Sequence, residues 1–565
     1  MRSLLPESAA RIARQARTAA VPWLRRVWVA NVPFALILAA ALILPDFLMD
    51  AAGGARRAVY TPDVVFYVLL FGLCVSFAAA PRLIAGFLIV IGAFEILHFC
   101  YLAYFGGVID ANQILQGLIE YEDVTRGGIG VLRYLFYAPL VVILPYTAAW
   151  LLLRRLLPAR AIIPGWWLVL LLAAATVPYQ IARHGASVRY YPVDTLPSVA
   201  NSYLTLSALF FNHLPRFVLG GDAGTGSRPP PAIVRGTPPP RATIILVMNE
   251  SLTSDHMSLF GYGRDTTPLL AALRGHPGFV YKQGISAGVG TISTFQSFWN
   301  EVRDPRDEAA FTEQRTNLFR LARESGFHTI FLSAQRANLL RGVGLQYVDL
   351  LRTVESEAAL YERLHDEMFL ELLPSIPLKE RNLVVIQLRS AHGPYADNYT
   401  TRPELAIFPT AGLKYREFQR NAYDNAVRYN DFVMSRLIDY FRTTIDGPLY
   451  VFLTSDHGQL LGEGRHGRIG HGMLLPEVAR VPILLYAQNA DPAIASALEA
   501  TRDPTHYELT ALIDRIMGVE IRDPGAVDGV YYINGAGYHG LAGYISIQKA
   551  ATPAGRTRFT RYPAG

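Results

Sequence analysis

The chain has 565 residues, 51% of them hydrophobic, and a formal net charge of +6. That length allows more than one domain, and the apolar residues crowd between positions 27 and 182. The excess positive charge lies in arginines that flank apolar runs. This pattern sets membrane topology and argues against nucleic acid as a partner.

Five stretches are long and apolar enough to cross a bilayer, at about 29–49, 62–80, 83–105, 131–153 and 163–182. Arg2, Arg11, Arg14, Arg17, Arg25 and Arg26 precede the first, Arg82 lies between the second and third, and Arg154, Arg155 and Arg160 lie between the fourth and fifth. The 106–130 connection instead carries Asp110, Glu120, Glu122 and Asp123 against Arg126, while Arg56 and Arg57 dissent. This bias predicts a cytoplasmic N-terminus, and five spans then put everything beyond about 182 outside. The first apolar run is too long for a cleaved signal and reads as a retained anchor. Cys74 and Cys100, the only cysteines, both fall inside spans, so the exported part is expected to hold no disulfide.

Two segments link spans to the rest. In the outer loop, IDANQILQGLIEYED places Ile109, Ile114, Leu115 and Leu118 at near-helical spacing, as an interfacial helix would. Residues 183–240 read as a connector, aromatic at first and then a Gly/Pro-rich linker, GDAGTGSRPPPAIVRGTPPPR.

From 241 to 565, apolar strand patterns alternate with helical ones. The expected strands are 242–249, 328–333, 382–388, 449–454 and 482–486; the expected helices include 266–274, 314–325, 414–442 and 506–517. Such alternation predicts an α/β domain with a central, mostly parallel sheet covered by helices on both faces.

The chemistry lies at strand ends, where open α/β sheets place their sites. The strand ATIILVMN ends in Glu250, and LYVFLTS ends in the pair Asp456–His457. Thr291 adds a hydroxyl in the loop AGVGTIST, with Ser293 and Thr294 as alternative hydroxyls beside it. Oxygen and nitrogen ligands beside a hydroxyl fit metal-assisted phosphoryl transfer.

Several motifs in order resemble the phosphoethanolamine transferases of the alkaline phosphatase/sulfatase superfamily. They are YFGGVIDANQILQ in the outer loop, AGVGTIST, AHGP at 391–394, NAYDNAVRYNDFV at 421–433, TSDHGQLLGEG at 454–464 and GHG at 470–472. The resemblance covers nearly the whole chain. It implies a five-helix transmembrane bundle (1–182), the connector, and a periplasmic sulfatase-like catalytic domain (241–565) of a bacterial inner-membrane enzyme. It implies that Glu250, Thr291, Asp456 and His457 hold one zinc, with a second allowed; the donor set also suits manganese. Thr291 would take phosphoethanolamine from phosphatidylethanolamine and pass it to a lipid A, core or other envelope glycan acceptor. The added ammonium would weaken binding of cationic peptides such as polymyxin.

The same resemblance gives His392 and His471 to the donor phosphate, with His466 as the rival of His471. Arg341 stands where the family usually has lysine, as a phosphate clamp or a simple helix-end charge. Asn112 and Glu120 match positions that contact donor lipid, or lie on a solvated helix face. Asp424 and Asn425 would orient loops or touch the ethanolamine. The chain departs from the pattern in three places. The exported part has no cysteine, STFQSFWN lacks the usual Pro-Cys, and Gln459 replaces an acid. These departures leave the acceptor open among lipid A phosphate, core sugar, periplasmic glucan and other glycans. A glycerol-phosphate transferase using phosphatidylglycerol and a non-catalytic membrane sensor are the alternative readings. The Thr291 region lacks the context in which a sulfatase makes its formylglycine.

Overall fold

The computed structural model describes residues 27–52, 59–78, 81–105, 107–119, 135–160, 196–210, 229–389, 391–464, 467–536, 543–550 and 555–563, with positions 22, 25, 121, 125 and 128. The chain divides into two compact units. Met1–Gln116 with Val131–Gly221 form the first, and Gly117–Gly130 with Asp222–Gly565 the second.

The first unit is built from helices Val32–Ala51, Pro62–Ala78, Pro81–Phe105 and Tyr137–Leu156. They are apolar all round, as segments buried in protein or lipid must be. Among the described residues, Val27–Ala51, Ile84–Phe105 and Tyr137–Leu156 are long and apolar enough to cross a membrane, and Pro62–Phe77 is apolar but shorter. The expected span at 163–182 lies outside the described residues, so five spans are not established. Gly72 permits close helix approach: a Cβ there would sit 2.9 Å from the Ala35 carbonyl oxygen. The expected outer-loop helix forms at Ala111–Ile119.

The second unit centres on a seven-stranded sheet in the order β3-β10-β7-β2-β6-β4-β5. Its strands are β2 (Ala242–Asn249), β3 (Phe279–Ile285), β4 (His328–Ser333), β5 (Leu350–Thr353), β6 (Arg381–Gln387), β7 (Leu449–Ser455) and β10 (Arg480–Gln488). Every residue of β2 and β7 is buried, which is why these strands read as unbroken apolar runs. β7, β2, β6, β4 and β5 pair in parallel. The sheet is mixed, because β10 runs antiparallel to both β7 and β3. Both parallel-sheet faces are covered. The helix Tyr415–Thr444 packs one core, with Tyr423, Tyr429 and Phe441 fully buried. Phe295, Trp299 and Phe319 fill the other, together with helix His506–Met517. That last helix starts with a capping box between Thr505 and Glu508 and ends on left-handed Gly518; losing such a cap costs about 1 kcal/mol.

Smaller pieces frame the sheet. β1 (Ala232–Arg235), inside the stretch read as linker, pairs antiparallel with β11 (Val519–Arg522). β8 (Leu460–Leu461) and β9 (Ile469–Gly470) form a short hairpin. β12 (Val530–Asn534), β13 (Gly543–Gln548) and β14 (Arg558–Pro563) form an antiparallel sheet.

Candidate metal and nucleophile site

The two central strands end side by side. Asn249 at the end of β2 is in register with Ser455 at the end of β7. The chain continues from one into Glu250 and from the other into Asp456–His457, so neighbouring parallel strands deliver all three groups to one place. Their ligand atoms lie within 4.8 Å of one another, and all three residues are buried. His457 Nε2 is 3.5 Å from Glu250 Oε1 and 3.4 Å from Asp456 Oδ2.

Thr291 opens helix Thr291–Trp299, and its Oγ1 donates to Glu250 Oε1 at 3.0 Å. The same oxygen is 3.4 Å from His457 Nε2. Its neighbours are placed differently. Ser293 donates to the Gly290 carbonyl, and buried Thr294 Oγ1 makes no hydrogen bond. Gly288 is required just upstream, since a Cβ there would meet Thr294 Oγ1 at 2.7 Å and Ser293 Oγ at 2.8 Å.

The donor set fits a divalent cation. Asp456 Oδ2 is buried with no hydrogen-bond partner, an expensive arrangement unless a cation faces it. Its other oxygen accepts from the backbone N–H of Ser251 (3.0 Å) and of His457 (2.7 Å), which fixes the carboxylate. His457 Nδ1 lies 2.9 Å from the Gly458 carbonyl. With the proton there, Nε2 turns its lone pair to the cluster. Burial and the Glu250 charge push the Asp456 carboxyl up to about 8. Burial lowers His457, but Asp456 and Glu250 outweigh it and raise the imidazole to about 9. Burial acts to raise Glu250, yet the His457 contact and three nearby imidazoles hold it below the carboxylate range.

His471 and His392 flank this cluster. The His471 ring lies 4.2 Å from that of His457 and 6.5 Å from that of His392, centroid to centroid. His471 Nδ1–H donates to Gln459 Oε1 at 2.9 Å, and Gln459 Nε2 donates to the Tyr395 hydroxyl. Sequence reasoning missed Gln335, whose amide donates to Glu250 Oε2 at 2.8 Å. It follows the end of β4, so the strand-end rule that found Glu250 would have reached it.

The remaining expected site residues stand apart from this cluster. Asp424 is held by His256 Nδ1 (2.6 Å), Arg264 Nη1 (2.6 Å) and the Tyr262 hydroxyl (3.0 Å). Asn425 pairs with both backbone groups of Phe408. Arg341 is exposed after the turn Ala337–Leu340, and no hydrogen bond or ion pair joins it to the cluster among the described residues. The Asn112 backbone lies in helix Ala111–Ile119; Glu120 and His466 are outside the described residues.

Comparison with known proteins matches the family described as Sulfatase to residues 242–519. The Kdo(2)-lipid A phosphoethanolamine 7''-transferase of Escherichia coli is 24% identical over 296 residues, 49% of this chain and 51% of that protein. Phosphoethanolamine transferase EptA of Helicobacter pylori is 25% identical over 300 residues, 50% of this chain and 55% of that protein. The chain thus spans about half the length of these curated relatives. The membrane-embedded lipooligosaccharide phosphoethanolamine transferase A of Neisseria meningitidis shares the fold, with a TM-score of 0.54 and 17% identity over 86% of this chain and 95% of that one. Residues 242–519 thus carry a Sulfatase-type domain, and the relatives that this chain resembles include phosphoethanolamine transferases.

Proposed function

We propose that this chain transfers phosphoethanolamine from phosphatidylethanolamine to a lipopolysaccharide or other envelope glycan, through a phosphorylated Thr291. The observation that carries this is the Thr291 hydroxyl, 3.0 Å from Glu250 Oε1 and 3.4 Å from His457 Nε2 within a buried set of metal-type ligands. The names of the curated relatives support the phosphoethanolamine group and the lipid A class of acceptor.

Glu250, Asp456 and His457, with Thr291, would hold a divalent cation, zinc by family resemblance. Such an ion lowers the pKa of a bound hydroxyl and offsets charge on a transferring phosphoryl group. The chain supplies the rest. Thr291 sits at the first turn of its helix, whose N-terminal dipole favours an anionic oxygen and an adjoining phosphate. Thr291 Oγ attacks the donor phosphorus, a new O–P bond forms, and the bond to the diacylglycerol oxygen breaks. The threonine proton ends on that diacylglycerol oxygen. His392 and His471 would meet phosphoryl oxygens and carry protons. An acceptor hydroxyl or phosphate oxygen then attacks the same phosphorus, the Thr291 Oγ–P bond breaks, and the acceptor's proton passes to Thr291 Oγ.

The apolar helices suit a lipid donor. The five apolar stretches favour five spans, and the arginine bias then favours a cytoplasmic N-terminus and a periplasmic catalytic domain from about 241. The test is turnover in detergent with either phosphatidylethanolamine or phosphatidylglycerol, following diacylglycerol release. Release from the ethanolamine lipid alone supports the reading; release from the glycerol lipid alone replaces the donor, and release from neither rejects the reaction.

A further inference from the structure

The sheet β12–β13–β14 is two-faced. Ile533, Ile545 and Ile547 are buried on one side against Ile285, Val289 and Val478. Alternate residues face the other way. There Tyr544 stands directly opposite Tyr562, with ring centroids 4.8 Å apart and stacked. Tyr532 meets Tyr544 edge-on across the diagonal at 5.7 Å. Ser546 stands opposite Thr560 and extends the face with two hydroxyls. Tyr562 is 44% exposed, so the ladder is open to solvent at β14.

Arg306 fixes the inner end of this ladder. It lies 5.4 Å over both Tyr532 and Tyr544 and donates to the Tyr532 hydroxyl at 3.1 Å. Asp304 receives its Nε at 2.8 Å and its Nη2 at 2.5 Å, neutralising the guanidinium. The tyrosine end of the face therefore offers aromatic rings and hydroxyls, while exposed Arg558, opposite Gln548, adds a cation at its far end. The tyrosine end suits a sugar ring, whose C–H face packs on an aromatic face while its hydroxyl edge finds hydrogen-bond partners.

The sheet also leads to the nucleophile. Asn534 at the end of β12 donates to the Ala287 carbonyl at 2.8 Å and accepts from Val289 N at 3.0 Å. Two residues on, the Ala536 methyl would lie 3.7 Å from a Cβ on Gly290 and 3.6 Å from one on Gly472. Those glycines adjoin Thr291 and His471.

We propose that the outward face of β12–β13–β14, with Tyr532, Tyr544 and Tyr562 as its platform, binds a pyranose saccharide of the acceptor. The role as acceptor site rests on the transferase reading; saccharide binding itself does not. The experiment titrates the full chain in detergent with two probes, delipidated lipopolysaccharide core oligosaccharide and a neutral linear glucan hexasaccharide, and follows binding by saturation-transfer NMR. Wild type should bind at least one probe saturably, and whichever binds names the source. Tyr562→Ala should weaken that binding tenfold or more, while Tyr562→Trp retains it. Thr560→Glu, an exposed change on the same face, should also weaken it and covers the case where Tyr562→Ala misfolds. Saturable binding to neither probe, or binding that neither Tyr562→Ala nor Thr560→Glu alters, overturns the proposal. Adduct formation on Thr291 with donor lipid alone, measured separately, reports on the transferase reading without any saccharide.

Discussion

His471 Nδ1 stands 2.9 Å from Gln459 Oε1, and Gln459 is locked in that orientation by donating its amide to Tyr395. An amide here accepts one proton and leaves the imidazole neutral, with Nε2 turned from this bond. Burial, then the neighbouring His457 and His392, hold His471 well below the usual imidazole range. Gln459→Glu would place a carboxylate against Nδ1–H and favour the imidazolium. The acid limb of the pH–rate profile should move up by about one unit or more. Activity at pH 6.5 should fall more than at pH 8.5; superimposable profiles would remove Gln459 from any role in setting His471.

Metal loading should depend on pH with a definite sign. Without metal, Asp456 is raised from 3.8 to about 8, and His457 from 6.5 to about 9. Both folded values exceed the unfolded ones, so the native site binds extra protons between them. The stability linked to His457 is present below 6.5 and is lost as pH rises through about 9. That linked to Asp456 is present below 3.8 and is lost as pH rises through about 8. Chelator-treated protein should therefore melt at a lower temperature at pH 9 than at pH 6.5. Zinc binding must expel these protons, so affinity should weaken as pH falls. Zinc at a thousandfold excess over Kd should add about 4 kcal/mol, and Asp456→Asn should lose most of that gain.

Asp424 is read from its contacts as a structural anion. It faces His256, raised to about 9 because Asp424 and Glu463 outweigh its burial, and it also faces Arg264. Asp424→Ala would strand these cations, at a cost of about 3 kcal/mol or more. The expected result is a clear drop in melting temperature. An unchanged melting temperature with a raised KM for donor would restore a substrate role.

Gly288→Ala tests how tightly the nucleophile loop is held. The added Cβ would lie 2.8 Å from Thr294 N, a backbone atom that cannot rotate away. The helix carrying Thr291 must then shift, and a displacement near 1 Å can cost about a hundredfold in rate. Turnover should fall by about that factor while zinc content, held by Glu250, Asp456 and His457, changes little. Wild-type turnover would mean the loop relaxes without moving Thr291.

Much of this was legible in the sequence because the central strands are buried on both sides. ATIILVMN and LYVFLTS can be little else; one residue past the first lies Glu250, and the two residues past the second are Asp456 and His457. β3 was less visible: FVYKQGI leaves its middle residues partly exposed at a sheet edge, so its polar residues break the apolar run. β5 is only four residues, LLRT, and also lies at an edge. β10 was visible as a strand, but apolar content carries no direction, so its antiparallel pairing was not. Gln335 was missed because an uncharged amide offers no metal-ligand signature, although it follows the end of β4 as Glu250 follows that of β2. The tyrosine face needed the β13–β14 register, since Tyr544 and Tyr562 are eighteen positions apart and become opposite partners only in the sheet.

The central claim is that Thr291 carries the transferred group. Intact-mass analysis of the full chain in detergent with phosphatidylethanolamine, wild type beside Thr291→Ala, tests it most directly. The account predicts one phosphoethanolamine adduct on the wild type, mapped to Thr291, and none on the variant. An adduct that persists in Thr291→Ala, or maps to Ser293 or Thr294, would contradict it.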